Sequence, residues 1–245
     1  MIIFDEKKFA ENMIKKGFQT KHKNINELNI LSKYYFSMGM EIDEVKEQII
    51  KFCEKHVEYF NMDEWYKVIN KTIEIAQKGK LVTGKVVSIT EEELNQIKEI
   101  DKINEQKLTF VMLVLYKFYD YKKFEISVED LYRLCKLNIN SQTKLKLLQS
   151  LTSKELIDIT MGGKRWVKFA DKKGKSVISI ANFEDFIFEY LNYIGEEGFG
   201  ECNECNKAIK IRGKNHKMCS TCLEKSKKES WKVASKKYRE KNKTS

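Results

Sequence analysis

The sequence predicts a mainly α-helical chain of the α+β class: a helical N-terminal domain, a central segment whose helices end in a small antiparallel sheet, and a cysteine-stapled C-terminal end that continues as a basic helix. Three observations predict it. Apolar residues recur at helical spacing over most of the chain up to Lys154, short alternating segments bounded by glycines and lysines follow, and two Cys-x2-Cys pairs stand where the chain turns polar.

The first third reads as four short helices. Asp5 to Lys16 carries Phe9 and Met13; a helix from about Asn26 carries Leu28, Leu31 and Tyr35 and stops at Gly39; a third from Asp43 carries Val45, Ile49, Ile50 and Cys53; a fourth from Asp63 carries Trp65, Val68, Ile69, Ile73 and Ala76 before Gly79. Each has Asn or Asp near its start, where a short polar side chain can accept from a free backbone N–H, and an apolar stripe that must be buried against a neighbour. We therefore expect a helical domain over residues 1–79. Residues 80–104 are expected to be an extended connector and a helix, the helix opening on a capping box formed by Thr90 and Glu93.

Residues 105–194 are expected to form the second domain. Leu108, Val111, Met112, Leu115 and Phe118 make its most apolar helix, suited to the centre of a core. Ser127 caps a helix with Leu131, Leu134 and Cys135, and a turn through Asn138 and Asn140 leads into a helix from Ser141 to Lys154. Strands are expected at Leu156–Thr160, Arg165–Ala170 and Ser176–Ala181, the first two joined by a Gly162-Gly163 hairpin, and then a helix from Asn182 to Tyr193. Three helices followed by a β-hairpin is the order of a winged helix. In that arrangement Leu145, Leu147, Leu148 and Leu151 would face inward, while Gln142, Lys146, Gln149, Ser150 and Ser153 would face a DNA major groove, with Lys164 and Arg165 near phosphate.

The most specific pattern is Cys202-x2-Cys205-x13-Cys219-x2-Cys222. Each Cys-x2-Cys places two thiolates on one tight turn, and two such turns close a tetrahedral shell around Zn²⁺ with no open position, which gives a structural metal. A pair of redox dithiols is the alternative, and His216 is near enough in sequence to replace Cys219. Cys53 and Cys135 fall inside apolar helical patterns and read as buried thiols. The zinc segment with its tail is expected to span residues 201–245, entered through a hinge at Gly195, Gly198 and Gly200.

The formal net charge of +10 divides unevenly: −1 over residues 1–104, +7 over 105–183, −6 over 184–201 and +10 over 202–245. Two basic blocks separated by an acidic spacer suggest two surfaces that meet a polyanion. In the tail, a helix would carry Lys227, Lys228, Lys232, Lys236 and Arg239, with Trp231 and Tyr238 able to stack on bases. The opening MIIFDEKKF has charges where a secretory leader needs an apolar stretch, and no apolar run is long enough to cross a bilayer, so a cytoplasmic protein without a membrane partner is expected. Gly79 to Val86 nearly spells a phosphate-binding loop, but Val86 stands where the magnesium-binding hydroxyl belongs and the segment follows a helix. The histidines His22, His56 and His216 are too few and too scattered for a nuclease metal site or a triad, so no enzyme is expected.

These residues together resemble accessory replication and DNA-binding proteins of Gram-positive phages and mobile elements. CNEC through MCSTC with its Lys-rich sequel resembles their zinc-ribbon tail, and EELNQIKEI…LTFVMLVLYKFY with the winged-helix order resembles their replication-organiser region. Asn26, Leu28, Leu31, Gly39, Val45, Ile49 and Phe52 are spaced like the small helical module at the C-terminus of some primases. The resemblance implies a nucleic-acid partner, DNA favoured over RNA, and a role in replication initiation or transcriptional control. It also implies a host or phage replication or transcription protein as partner of the N-terminal domain. Two alternatives stay open: a factor that binds host proteins, and a binder of RNA or single strands.

Overall fold

The computed structural model describes residues 2–20, 25–171, 173–213 and 215–241, the last five of these as backbone. The chain divides into two compact units, Met1–Lys85 and Val86–Ser245.

The first unit is helical: α1 (Glu6–Lys16), α2 (Ile25–Ser37), α3 (Ile42–His56) and α4 (Met62–Lys78). Short polar residues set the starts. Asp5 accepts from Lys8 N, Asn61 accepts from Asp63 N, and Glu44 reaches back to Glu41 N at 2.8 Å. One stripe of each helix is buried, and Met13, Leu28, Leu31, Val45, Ile49, Cys53, Ile69 and Ile73 form the shared core. Residues after α4 stay with this unit because buried Glu6 and Val82 bond twice: Glu6 N donates to Val82 O at 2.9 Å, and Val82 N donates to Glu6 Oε2 at 2.8 Å.

The second unit opens with β1 (Val87–Thr90), α5 (Glu91–Lys98) and α6 (Ile103–Phe118). The segment expected as a connector thus ends in a paired strand. The capping box forms as expected: Thr90 Oγ1 accepts from Glu93 N, and Glu93 accepts from Thr90 N. α6 is buried on every side from Leu108 to Leu115, which identifies it as the central helix of this unit. Then come α7 (Val128–Leu134), α8 (Ser141–Ser153), β2 (Ile157–Ile159), β3 (Arg165–Val167) and β4 (Ser176–Ile180). Ser127 and Asn140 cap α7 and α8 as their sequence positions suggest.

The sheet differs from a single three-stranded one. β2 pairs with β3, with Ile157 opposite Val167 and Ile159 opposite Arg165, and Phe124 bridges Arg165 on the other side. β4 leaves that hairpin and pairs antiparallel with β1, Val87 opposite Ile180 and Thr90 opposite Ser176. Gly174 allows the return, since a Cβ there would lie 2.6 Å from Glu92 Oε2 and 2.9 Å from Thr90 Cβ. Downstream, α9 (Ile187–Tyr193) starts later than expected, because Asn182 accepts from Glu184 N in a local turn and Asp185 has a φ of 55°. β5 (Phe199–Glu201), β6 (Ala208–Lys210) and α10 (Ser220–Lys241) complete the chain. The fold is therefore mostly helical, with three small two-stranded antiparallel sheets among the described residues. No helix among the described residues is long and apolar enough to cross a membrane.

Candidate metal centre and basic helices

Cys202 and Cys205 sit on the turn between β5 and β6. That turn is closed by Cys202 N donating to Lys207 O and Asn206 N donating to Cys202 O, both at 2.9 Å, with Asn206 at a φ of 58°. Asn and Asp tolerate this left-handed conformation best after glycine, which suits the position. Cys219 and Cys222 stand at the start of α10, and Asn203 N donating to Lys217 O at 3.0 Å ties the second turn to the first.

The four sulfur atoms lie within 4.8 Å of one another. Cys205 Sγ and Cys219 Sγ are 3.8 Å apart, and a tetrahedron with Zn–S bonds of about 2.3 Å has an edge of about 3.8 Å. Backbone N–H groups point at the sulfurs: Cys219 N donates to Cys202 Sγ at 3.2 Å, and Cys222 N donates to Cys219 Sγ at 3.4 Å. Burial pushes the Cys202 thiol up, but N–H groups of Cys219, Glu204 and Cys205 outweigh it and hold this thiol at about 6. Hydrogen bonds that the Cys222 thiol donates to the Cys219 and Cys205 sulfurs push it up to about 12, so a full set of thiolates needs a cation among them. All four are free thiols, with Cys202 and Cys219 buried. The donor set, spacing and closure are those of a structural Zn²⁺ site. His216 is not among its ligand atoms; its Nδ1 accepts from Arg212 N at 3.4 Å.

The zinc segment is held from outside as well. Glu189 on α9 accepts from Ala208 N at 3.1 Å, and Phe188 packs on Phe199 with ring centroids 5.2 Å apart. The glycines expected as a hinge therefore lead into a hairpin packed on α9. Burial raises the Glu189 pKa against the opposing pull of that N–H. Periodicity gave no warning of Glu189, because its partner comes from another element.

The nucleic-acid candidates fall into three groups. Gln142, Lys146 and Gln149 are exposed on α8, as Lys164 is on the β2–β3 turn. Lys227, Lys228, Lys232 and Lys236 are exposed on α10, and Trp231 is 78% exposed. The side chains of Tyr238 and Arg239 lie outside the described residues, as does His22. Three placements differ from expectation. Arg165 is only 6% exposed and donates to Ile126 O, so its guanidinium is a brace inside the fold and is turned away from any surface phosphate. Ser150 faces inward and donates to Glu105 Oε1 at 3.0 Å. Leu145 is 55% exposed, beside Gln142 and Gln149 instead of with the buried Leu147, Leu148 and Leu151. At 3.6 residues per turn it lies roughly 110° around the helix from the centre of that stripe.

Comparison with known proteins adds no relative: no family model matches the chain, and neither a curated protein nor a solved structure matches it.

Proposed function

We propose that this is a non-enzymatic, zinc-containing protein that binds nucleic acid, duplex DNA in preference to RNA. Its role would be replication initiation or transcriptional control on a phage or mobile element. The observation that carries the reading is α10. It starts at two of the metal ligands and presents Lys227, Lys228, Lys232 and Lys236 to solvent. Over the same stretch Trp231 and Val233 are exposed, so the helix has a cationic surface and little apolar surface to bury within its own chain. Such a helix gains most by neutralising phosphates and releasing their counterions.

The order α6, Phe124, α7, α8, β2, β3 supports a winged-helix reading of the middle of the chain. α8 would then be the recognition helix, and the turn carrying Met161 and Lys164 the wing. Gln142, Lys146 and Gln149 supply hydrogen-bonding groups for base edges, and exposed Leu145 adds an apolar contact suited to a thymine methyl. Exposed Trp231 favours a second mode, stacking on single strands. The helical first unit is the part left for a replication or transcription partner. Titration of duplex DNA, single-stranded DNA and RNA at matched salt tests the reading: tightest binding to duplex is expected, and no binding to any of the three would overturn it.

A further inference from the structure

We infer that the groove bounded by α9, the β5–β6 hairpin and the first turn of α10 is a docking site for an acidic peptide that carries large apolar side chains. The groove has a volume of about 540 Å³, in the range of sites that enclose a small ligand or a few side chains. Its floor is apolar. Phe188 and Phe199 are half-buried there, Leu191 and Ile209 lie beneath, and Leu223 closes one wall while remaining 39% exposed.

The rim is cationic. Lys107, Lys210 and Arg212 border the groove and have no acidic partner among the described residues. The two carboxylates in its lining face other cations, Asp185 with Lys136 at 2.5 Å and Glu184 with Lys207 at 3.9 Å, and Glu189 behind Ala208 is held by that residue's N–H and faces Lys207 as well. Even set against the two negative charges that four thiolates leave on Zn²⁺, these three cations keep the groove positive. Uncompensated positive charge around an apolar floor selects a partner that offers carboxylates beside apolar side chains.

The rings decide between a peptide and a nucleobase. A base stacks on an open, flat ring face, whereas Phe188 and Phe199 are tilted by 53° and packed on each other. The floor they make is a wedge, which suits a branched or aromatic side chain. This site is independent of the nucleic-acid reading, because the exposed lysines of α10 lie further along the helix than Leu223, the last of its residues in the groove.

The test uses full-length, zinc-loaded protein and a fluorescein-labelled hexapeptide of three aspartates, two leucines and a phenylalanine, followed by fluorescence anisotropy. Leu223→Glu, Lys107→Glu and Arg212→Glu should each weaken binding by about tenfold or more, with zinc content unchanged. Lys107 lies on α6, away from the metal ligands, so Lys107→Glu decides if Leu223→Glu disturbs the zinc turn. A peptide with lysines for the aspartates, or serines for the apolar residues, should bind at least as weakly as the acidic peptide binds the variants. Absence of binding by the wild type, or equal binding by the variants, overturns the proposal. So does displacement of the peptide by an oligothymidylate whose own affinity falls with the same substitutions, since that would assign the groove to nucleic acid. Lys227→Ala and Lys232→Ala should leave the peptide affinity unchanged.

Discussion

Lys117 Nζ lies 2.6 Å from Glu93 Oε2, with both side chains buried. The pair is satisfied all round. Lys117 also donates to Ser88 O at 2.7 Å, and Glu93 accepts from Thr90 N and from Asp171 N. One carboxylate thus joins β1, the start of α5, the C-terminal end of α6 and the segment before β4. Removing one partner leaves a buried charge without compensation, a loss of about 3 to 5 kcal/mol. Lys117→Ala should therefore lower the unfolding free energy of the second unit by that order, read from urea melts, while sparing the first. A change below about 1 kcal/mol would mean that the N–H donors alone suffice for Glu93.

Zinc removal should act locally. Cys202→Ser, or a strong chelator, should abolish zinc binding and unfold the turns between Cys202 and Cys222, because little apolar surface is buried there besides Ala208, Ile209 and the ligands themselves. Residues 1–183 have their own cores and should still unfold cooperatively. Thiol counting separates the two classes of cysteine. The four ligands should react once the metal is chelated, whereas Cys53, pushed up to about 12 by burial and by Glu54, and Cys135, pushed up further by burial, should react only on unfolding. Purified protein without zinc, with Cys202 and Cys205 joined by a disulfide, would sink the assignment.

Glu105 makes the packing of α8 sensitive to acid. Burial alone would raise its pKa, but hydrogen bonds from Lys154 and Ser150 and the charges of Lys154 and Lys102 outweigh burial and hold it below the usual 4.5. A depressed folded pKa contributes stability that is present above the unfolded value and is lost as pH falls through the folded one. Stability should therefore decline below about pH 4.5, and Glu105→Gln should lower stability at pH 7 while flattening the acid limb. Paired melts at pH 7 and pH 4 would show it, and an unchanged acid limb in the variant would place the sensitivity elsewhere.

Arg165 and Lys164 should separate in function although adjacent in sequence. Arg165 is buried with Nε unpartnered, and its loss would leave Ile126 O short of a donor. Arg165→Ala should cost about 1 to 3 kcal/mol of stability and lower DNA affinity only in proportion to unfolding. Lys164→Ala should leave stability unchanged and weaken DNA binding. Equal effects of the two on affinity, at full folding, would return Arg165 to the surface.

Where the sequence was legible, local physics decided the outcome. The caps at Asp5, Asn61, Thr90, Ser127 and Asn140 and the paired cysteines are short-range patterns, and each forms. The pairing of β1 with β4 was not legible, since nothing near Val87 names Ile180 as its partner. Arg165 was legible in principle: alternation along β3 puts it on the same face as buried Val167. Leu145 was too, because helical geometry takes it off the stripe of Leu148 and Leu151. The clasp of Glu189 on Ala208 depends on where α9 packs, which no local pattern encodes.

The last prediction separates the two basic helices. Each phosphate neutralised on duplex DNA contributes about 0.9 to the slope of log affinity against log salt, so removing residues 202–245, which hold a net +10 of charge, should flatten that slope. Contacts of this kind carry no sequence information, and the loss should be similar on every duplex. α8 should behave differently: Gln149→Ala and Lys146→Ala should weaken a preferred site more than random DNA, by about 1 to 3 kcal/mol where a base contact is lost. Leu145→Ser tests the apolar contact at the same face and should reduce preference for thymine at one position while leaving the salt slope alone. Trp231→Ala should matter little on duplex and clearly on single strands, where stacking contributes about 1 to 3 kcal/mol per base. Titrations of the full chain, the truncated chain and these variants at several salt concentrations provide the readout. An unchanged slope after truncation would make α10 a solubility feature, and equal losses on specific and random DNA would make α8 a phosphate clamp.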